Sequence, residues 1–438
     1  MTVDRRDSSA AADLESLVPR PALIGRGDPY PSRTQVVAVQ FGTFLGLHSE
    51  RLQVKREGTV VDEVPLFRLS ELVVGARGVS LSADLIRELC VRGIRMLFLG
   101  STGTPYAMLC SPMLTATVQT RRAQMAAFED ERGTRFARAV VAGKLHNQAN
   151  LLKYFAKYLA GADENRFREV RELASKIEAL LPRVGGKRTA PAAERPAEER
   201  PGEPTSEHPD PLFDAAEEAA PAACAVPAGP AGLRPTANAF ERTQVRRQDR
   251  PAGAPRAAGG ECIDRERGAL LAVEGAAGRL YWRGFQLLVG AERFEGRRHR
   301  GAADPVNAAL NYGYGILYSK VWASLMVAGL EPFAGFLHVD RPGKPSLVLD
   351  VVEEYRQPVV DRTVVAIFTR GTQVGMENGR LDLEARREVA SRVLARLETP
   401  VPYEGKKVPL RAVMQAQAHH LAMAFRGERR YRPYRFRW

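Results

Sequence analysis

Apolar residues in the first part of the chain recur at strand spacing. Short β-type runs at 36–44, 51–55 and 59–65 are parted by turn signals such as Glu57-Gly58. Runs at 71–74, 78–80, 96–99 and 106–109 continue them, around one amphipathic stretch at 82–92. This pattern predicts a small β-rich domain over 34–112. From Thr115 the period lengthens. Leu145, Ala149, Leu152, Ala156 and Leu159 stand three or four residues apart, the stripe of a packed helix, with Lys144, Lys153 and Lys157 off it. Helical patterning runs through 165–181, so 113–182 reads as the first part of a helical domain. It resumes near Arg265, with buried or half-buried helices at 267–285 and 305–328, a further one at 346–356, and helical or apolar runs at 363–369, 383–397 and 410–425. The expected fold class is α+β: the β-rich domain, then a mostly helical domain completed by 261–425.

Three segments break the pattern. Residues 1–33 read as a flexible leader with Pro19, Pro21, Pro29 and Pro31. Residues 183–260 alternate Ala, Pro, Gly, Glu and Arg with few large apolar side chains. Such a stretch buries too little surface to offset chain entropy and is expected to be a disordered insert. The 426–438 tail carries six arginines against one glutamate, interleaved with aromatics. That composition grips a nucleic-acid backbone while stacking on bases, and Arg432 and Arg435 are its candidate contacts. The plainer alternative is a solvated tail.

Charge sharpens the picture. A net charge of +13 across 438 residues favours polyanionic partners. No apolar run approaches the ~20 residues of a membrane span, and no apolar targeting segment opens the chain. Cys90, Cys110, Cys224 and Cys262 form no C-x-x-C pair, so reduced thiols and a cytoplasmic location are expected.

Candidate chemistry concentrates in 335–358. It holds His338, a basic turn with Arg341 and Lys344, and carboxylates at Asp350, Glu353 and Glu354. On a helix over 346–356, Asp350 would share a face with Glu353 and Glu354. A second acidic candidate, Glu274, lies on a helix that is apolar nearly all round and needs a partner. A salt bridge to Arg279 or Arg283 would satisfy it, and His338 alone would pass for a core histidine. Taken together, one imidazole and two carboxylates suit Mg²⁺ or Mn²⁺ held against a phosphate. Arg356 would neutralise that phosphate or pair with Glu353 or Glu354. Other motifs fail: Leu99-Gly100-Ser101-Thr102-Gly103 lacks the end of a phosphate loop, His419 and His420 diverge on a helix, and there is no G-x-S-x-G elbow.

In order along the chain, several blocks resemble the CRISPR-associated protein one family, the spacer-acquisition endonuclease and integrase. They are Gly143-Lys144 with Asn147-Gln148 and Leu151-Leu152, then Glu274-Gly275-Ala276-Ala277 with Tyr281. Asp304-Pro305-Val306-Asn307 with Leu310, Tyr312, Gly313 and Tyr314 follows, then the 335–358 run with its D-x-x-E-E-Y-R-x-P ending, and Tyr431-x-Pro433-Tyr434. The resemblance covers 34–182 and 262–438. It implies an N-terminal dimerisation domain, a helical catalytic domain and a homodimer. It implies metal ligands at Glu274, His338 and Glu353, an acidic residue required for activity at Asp350, and a DNA-proximal base at Lys344. It leaves open which of Asp350 and Glu353 touches the metal. Its partners would be double-stranded DNA, both the incoming segment and the CRISPR repeat, and a small ferredoxin-like nuclease. A repair nuclease using the same residues, or a non-catalytic architectural DNA binder, are the competing readings.

Overall fold

The computed structural model describes residues 34–38, 40–100, 103, 105–109, 118–185, 263–298, 302 and 304–437. The leader and nearly all of the predicted insert lie outside these residues. Eight strands and one helix come first: β1 Thr34–Ala38, β2 Thr43–His48, β3 Arg51–Arg56, β4 Thr59–Pro65, β5 Leu69–Val74, β6 Ser80–Leu81, α1 Ala83–Val91, β7 Arg95–Leu99 and β8 Pro105–Leu109. The single run predicted over 36–44 is two strands, because the chain turns at Gly42 with φ +76°, a conformation open to glycine. One sheet has the order β1-β5-β7-β8, parallel until its last pair; the other has the order β4-β3-β2-β6. Leu45, Leu52, Leu72 and Met96 close their shared core with Leu85 and Leu89 of α1. Ser82 starts α1 by accepting a hydrogen bond from the Leu85 amide at 3.2 Å.

The helices follow: α2 Val118–Ala127, α3 Glu131–Ala156, α4 Glu164–Glu178, α5 Leu181–Val184, α6 Arg267–Val289, α7 Pro305–Val327, α8 Ser346–Val352, α9 Arg362–Thr369, α10 Leu383–Glu398 and α11 Leu410–Phe425. Two short hairpins sit among them, β9 Met376–Glu377 with β10 Arg380–Leu381 and β11 Pro400–Tyr403 with β12 Lys406–Pro409. The fold class is therefore α+β, as the hydrophobic periodicity predicts. Asp130, Asp163, Asp304 and Asp382 start four of the helices, each accepting a backbone amide at 2.7–3.0 Å. α7 is buried on almost every side, packed by α8, α10 and α11. Lys320, near its middle, pairs with the buried Glu71 of β5 and so ties the helices to the first sheet.

The helix predicted over 346–356 stops at Val352. Glu353, Glu354 and Tyr355 each donate to the carbonyl three residues back, so the α ladder tightens and ends there, and Arg356–Asp361 widens into a π-helical turn in which Pro358 has no amide hydrogen for the Glu354 carbonyl. The Asn147 side chain of α3 takes the missing donor's place, reaching the Glu354 carbonyl at 2.9 Å. This break decides where each acid of the 335–358 run points.

Candidate metal and nucleic-acid site

Asp350 does not share a face with its neighbours. It is fully buried at the end of α8 and turns back onto the chain before that helix. Its carboxylate accepts the amides of Phe336 (2.6 Å), Leu337 (3.0 Å) and His338 (2.9 Å). The same oxygen that holds the His338 amide meets its ring Nδ1 at 2.7 Å. A carboxylate used this way only accepts, so Nδ1 carries the proton and Nε2 presents its lone pair. Gly335 makes the tight approach possible: a Cβ there would lie 2.6 Å from the Ser346 backbone. Ser346 fixes the same turn, accepting the Gly335 amide at 2.8 Å and donating to the Phe333 carbonyl at 2.6 Å.

Glu353 and Glu354 diverge at the helix break. Glu354 is buried against the tail, accepting from the Tyr431 hydroxyl (2.8 Å) and the Tyr434 amide (2.7 Å). Burial pushes its carboxyl up to about 8 against those two donors. Glu353 faces the other way, toward Lys144 of α3, with its Oε2 2.7 Å from the ammonium in an ion contact rather than an aligned hydrogen bond. The same ammonium hydrogen-bonds Glu274 of α6. Arg356 approaches the other oxygen of Glu353 at 3.3 Å. Burial alone would raise the Glu274 carboxyl, but Lys144 outweighs it and holds the group below the ordinary carboxylate range, with Arg356 adding to the pull. Burial would likewise lower Lys144, and the two carboxylates together raise it instead.

Glu274 and Glu353 thus meet at one ammonium, and His338 is held separately by Asp350. The partner of Glu274 is neither Arg279 nor Arg283; Arg283 pairs with Glu169 at 3.2 Å. Among the described residues no group of three His, Cys, Asp or Glu side chains stands ready to hold an ion as placed. The donor set nonetheless fits a hard divalent cation in kind, with two carboxylates and an imidazole whose Nε2 is directed by Asp350. Asp350 spends both oxygens on the chain, whereas Glu353 meets only the side-chain cations of Lys144 and Arg356.

Of the basic candidates, Arg356 lies inside the site. Its guanidinium stacks over Tyr314 (5.0 Å) and Tyr318 (5.5 Å) and donates to the Tyr318 hydroxyl. Arg341 and Lys344 bridge across the turn ahead of α8, Arg341 exposed and Lys344 half-buried. In the tail the expected base stacking is overturned. Tyr431, Tyr434 and Phe436 are buried on α3 and the helix break, where Tyr431 packs on Phe136 and bonds Glu354 and the backbones of Tyr434 and Phe436 are held by Glu354, Asn147 and Asn150. Arg430, Arg432, Arg435 and Arg437 face outward between them. The tail is a strap with its rings turned in and its charges out. Asn147 pins it, donating to the Tyr434 carbonyl at 3.0 Å and accepting the Phe436 amide at 2.8 Å. Together with Arg132, Arg135 and Arg138 of α3, the strap lines a groove of about 1370 Å³.

Sequence reasoning missed three residues. Lys144 was set off the apolar stripe as if solvated, yet it is buried between two acids; its place in the Gly143-Lys144 block was the available signal. Asn147, in the same block, holds both the helix break and the strap. Asp361 had no signal. It is buried, accepts from the Tyr281 and Tyr314 hydroxyls at 2.5 Å, and is raised by burial despite them.

The chain matches the family described as "CRISPR associated protein Cas1" over residues 36–191 and 241–393. A CRISPR-associated endonuclease Cas1 from Archaeoglobus fulgidus is 27% identical over 418 residues, spanning 92% of this chain and 100% of its own. Another, from Francisella tularensis subsp. novicida, is 29% identical over 405 residues, with 92% and 99% covered. Among solved structures, a casposase bound to integration product superposes with TM-score 0.65 at 18% identity, over 92% of this chain and 94% of that one. A chain of a Cas6-RT-Cas1--Cas2 complex gives TM-score 0.61 at 18% identity, over 98% of this chain and 39% of that one. With the family matched across both its β-rich and helical parts, the chain belongs to the CRISPR associated protein Cas1 family.

Proposed function

We propose that the protein is a divalent-metal-dependent DNA endonuclease and integrase that inserts short DNA segments into a CRISPR array. In this reading a DNA 3′-hydroxyl attacks a repeat phosphate and another 3′-hydroxyl leaves. The observation that carries it is the meeting of Glu274 and Glu353 at one buried ammonium, together with an imidazole that Asp350 orients. Glu274, Glu353 and His338 Nε2 would hold Mg²⁺ or Mn²⁺. The ion, when bound, supplies Lewis-acid polarisation of the phosphate and a fixed place for its oxygens. Everything else belongs to the chain. Asp350 sets the imidazole tautomer, Arg356 stands beside Glu353 to meet phosphate charge, and Arg341 and Lys344 present positive charge on the turn leading into α8.

The outward-facing Arg430, Arg432, Arg435 and Arg437 of the strap would hold DNA through its phosphates, apart from the phosphate at Glu274 and Glu353 and without base stacking. A second copy of the chain fits the β-rich part, where Phe41 and Phe67 are 77% and 68% exposed and Val60 and Val61 lie open on β4. The partners proposed are double-stranded DNA and a small ferredoxin-like nuclease; relatives of the same fold in an integration product and in a complex with Cas2 support an integration role with a Cas partner. Among the described residues no helix is long and apolar enough to cross a membrane, and a cytoplasmic location is part of this proposal.

The test is joining of a labelled oligonucleotide into a repeat-bearing duplex, with Mn²⁺ and the small partner. Glu274→Ala, His338→Ala and Glu353→Ala each abolish joining while duplex binding persists. Joining that survived in all three, or in EDTA, would rule the reading out.

A further inference from the structure

The Glu274–Glu353 pair is already neutralised by the chain itself. Two carboxylates face two cations, Lys144 against both and Arg356 against Glu353. Lys144 is 7% exposed and Glu353 2%, so their contact is struck away from bulk water, with Glu274 and Arg356 half-buried at its edge. A divalent ion taken up by the two acids would leave the cluster with two surplus positive charges. Charge left uncompensated in such a place is costly, so an anion must accompany it. The backbone offers no escape. Gly143 is packed on Pro433, where a Cβ would lie 2.8 Å away, and Asn147 is tied to the Glu354 carbonyl and to the strap on the next turn. What can move is the four-carbon stem of Lys144.

We propose that Lys144 is a positioning residue that makes metal loading conditional on DNA. Its ammonium keeps the two carboxylates together while no ion is present. Metal and phosphodiester then bind as a coupled pair, the phosphodiester becoming the partner of Lys144 as the carboxylates turn to the ion. The inference rests on the metal reading above and adds a coupling that the reading does not require. A free enzyme of this kind carries little metal and is not armed until DNA occupies the site.

The test is Mn²⁺ titration of the full chain, followed by the electron paramagnetic resonance of free Mn²⁺, with and without a short duplex. Without DNA, Lys144→Met binds Mn²⁺ about tenfold or more tighter than the wild type, since one unit charge a few ångströms away has been removed. Lys144→Arg keeps the charge and stays near the wild type. The duplex tightens Mn²⁺ binding to the wild type about tenfold and to Lys144→Met much less, as linkage requires. Equal affinities in wild type and Lys144→Met, or equal enhancement by DNA in both, overturns the proposal. Should Lys144→Met not fold, the wild type alone decides: Mn²⁺ affinity indifferent to DNA overturns it. Tight DNA-independent binding defeats this inference only, whereas no Mn²⁺ binding under either condition defeats the metal reading as well.

Discussion

Replacing Asp350 separates a residue that shapes the site from one that holds an ion. Its carboxylate accepts three backbone amides and one ring nitrogen, all within 2.6–3.0 Å. In Asp350→Ala those amides lose their acceptor, and each orphaned buried donor costs about 1–3 kcal/mol. Partial opening of the 335–338 turn to water relieves some of this, so a net loss of about 3–5 kcal/mol is expected. Asp350→Asn fares little better. Each carboxylate oxygen faces two N–H donors, so whichever end carries the new amide group meets donors with a donor. Denaturant unfolding measures the stability, and ¹⁵N spectra of the imidazole report its tautomer. The wild type shows the proton on Nδ1, and both variants lose that preference. Mn²⁺ affinity with DNA present falls by about 10–100-fold, the usual cost of losing such a support. A variant as stable as the wild type, with the tautomer unchanged and Mn²⁺ binding abolished, would show Asp350 to be a ligand and refute the argument.

The other predictions concern the strap and the turn. Burial holds the Glu354 carboxyl at about 8, above its ordinary value, so its contribution to stability is full at low pH and is lost as pH rises through that value. Glu354→Gln, neutral throughout, flattens this fall in melting temperature between about pH 5 and pH 9, and an unchanged slope would assign the pH dependence elsewhere. Replacing Arg430, Arg432, Arg435 and Arg437 by Ala together weakens duplex binding at every sequence and lowers the slope of log affinity against log salt by about 3–4; an unchanged slope removes the strap from the DNA path. Gly335→Ala drives a methyl into the Ser346 backbone and costs about 1–3 kcal/mol in unfolding free energy, with joining lost to a displaced His338.

Much of this was legible in the sequence because periodicity reports burial. The 2-residue and 3.6-residue patterns place the β-rich part and the helices, and the acids of the 335–358 run announce themselves by type. Direction was not legible. Asp350, Glu353 and Glu354 point apart because the ladder shifts to three-residue bonds from Glu353 onward and each carboxylate finds its own partner, the 336–338 amides, Lys144 and the strap. The tail shows the same limit. Arginine and aromatic residues alternate whether the rings stack on bases or on the protein, and the buried Glu354 and Asn147 settle it for the protein. Lys144 was hidden for a third reason, that a lysine off an apolar stripe is ordinarily solvated, and its two acids come from α6 and the end of α8, far along the chain.

The central claim is that Glu274, Glu353 and His338 take one divalent ion between them. Electron spin echo modulation of Mn²⁺ bound to the protein with duplex DNA tests this most directly. The account predicts coupling to one imidazole nitrogen, lost in His338→Gln and kept in the variants of His419 and His420. Bound Mn²⁺ showing no nitrogen coupling, or coupling that survives His338→Gln, would contradict it.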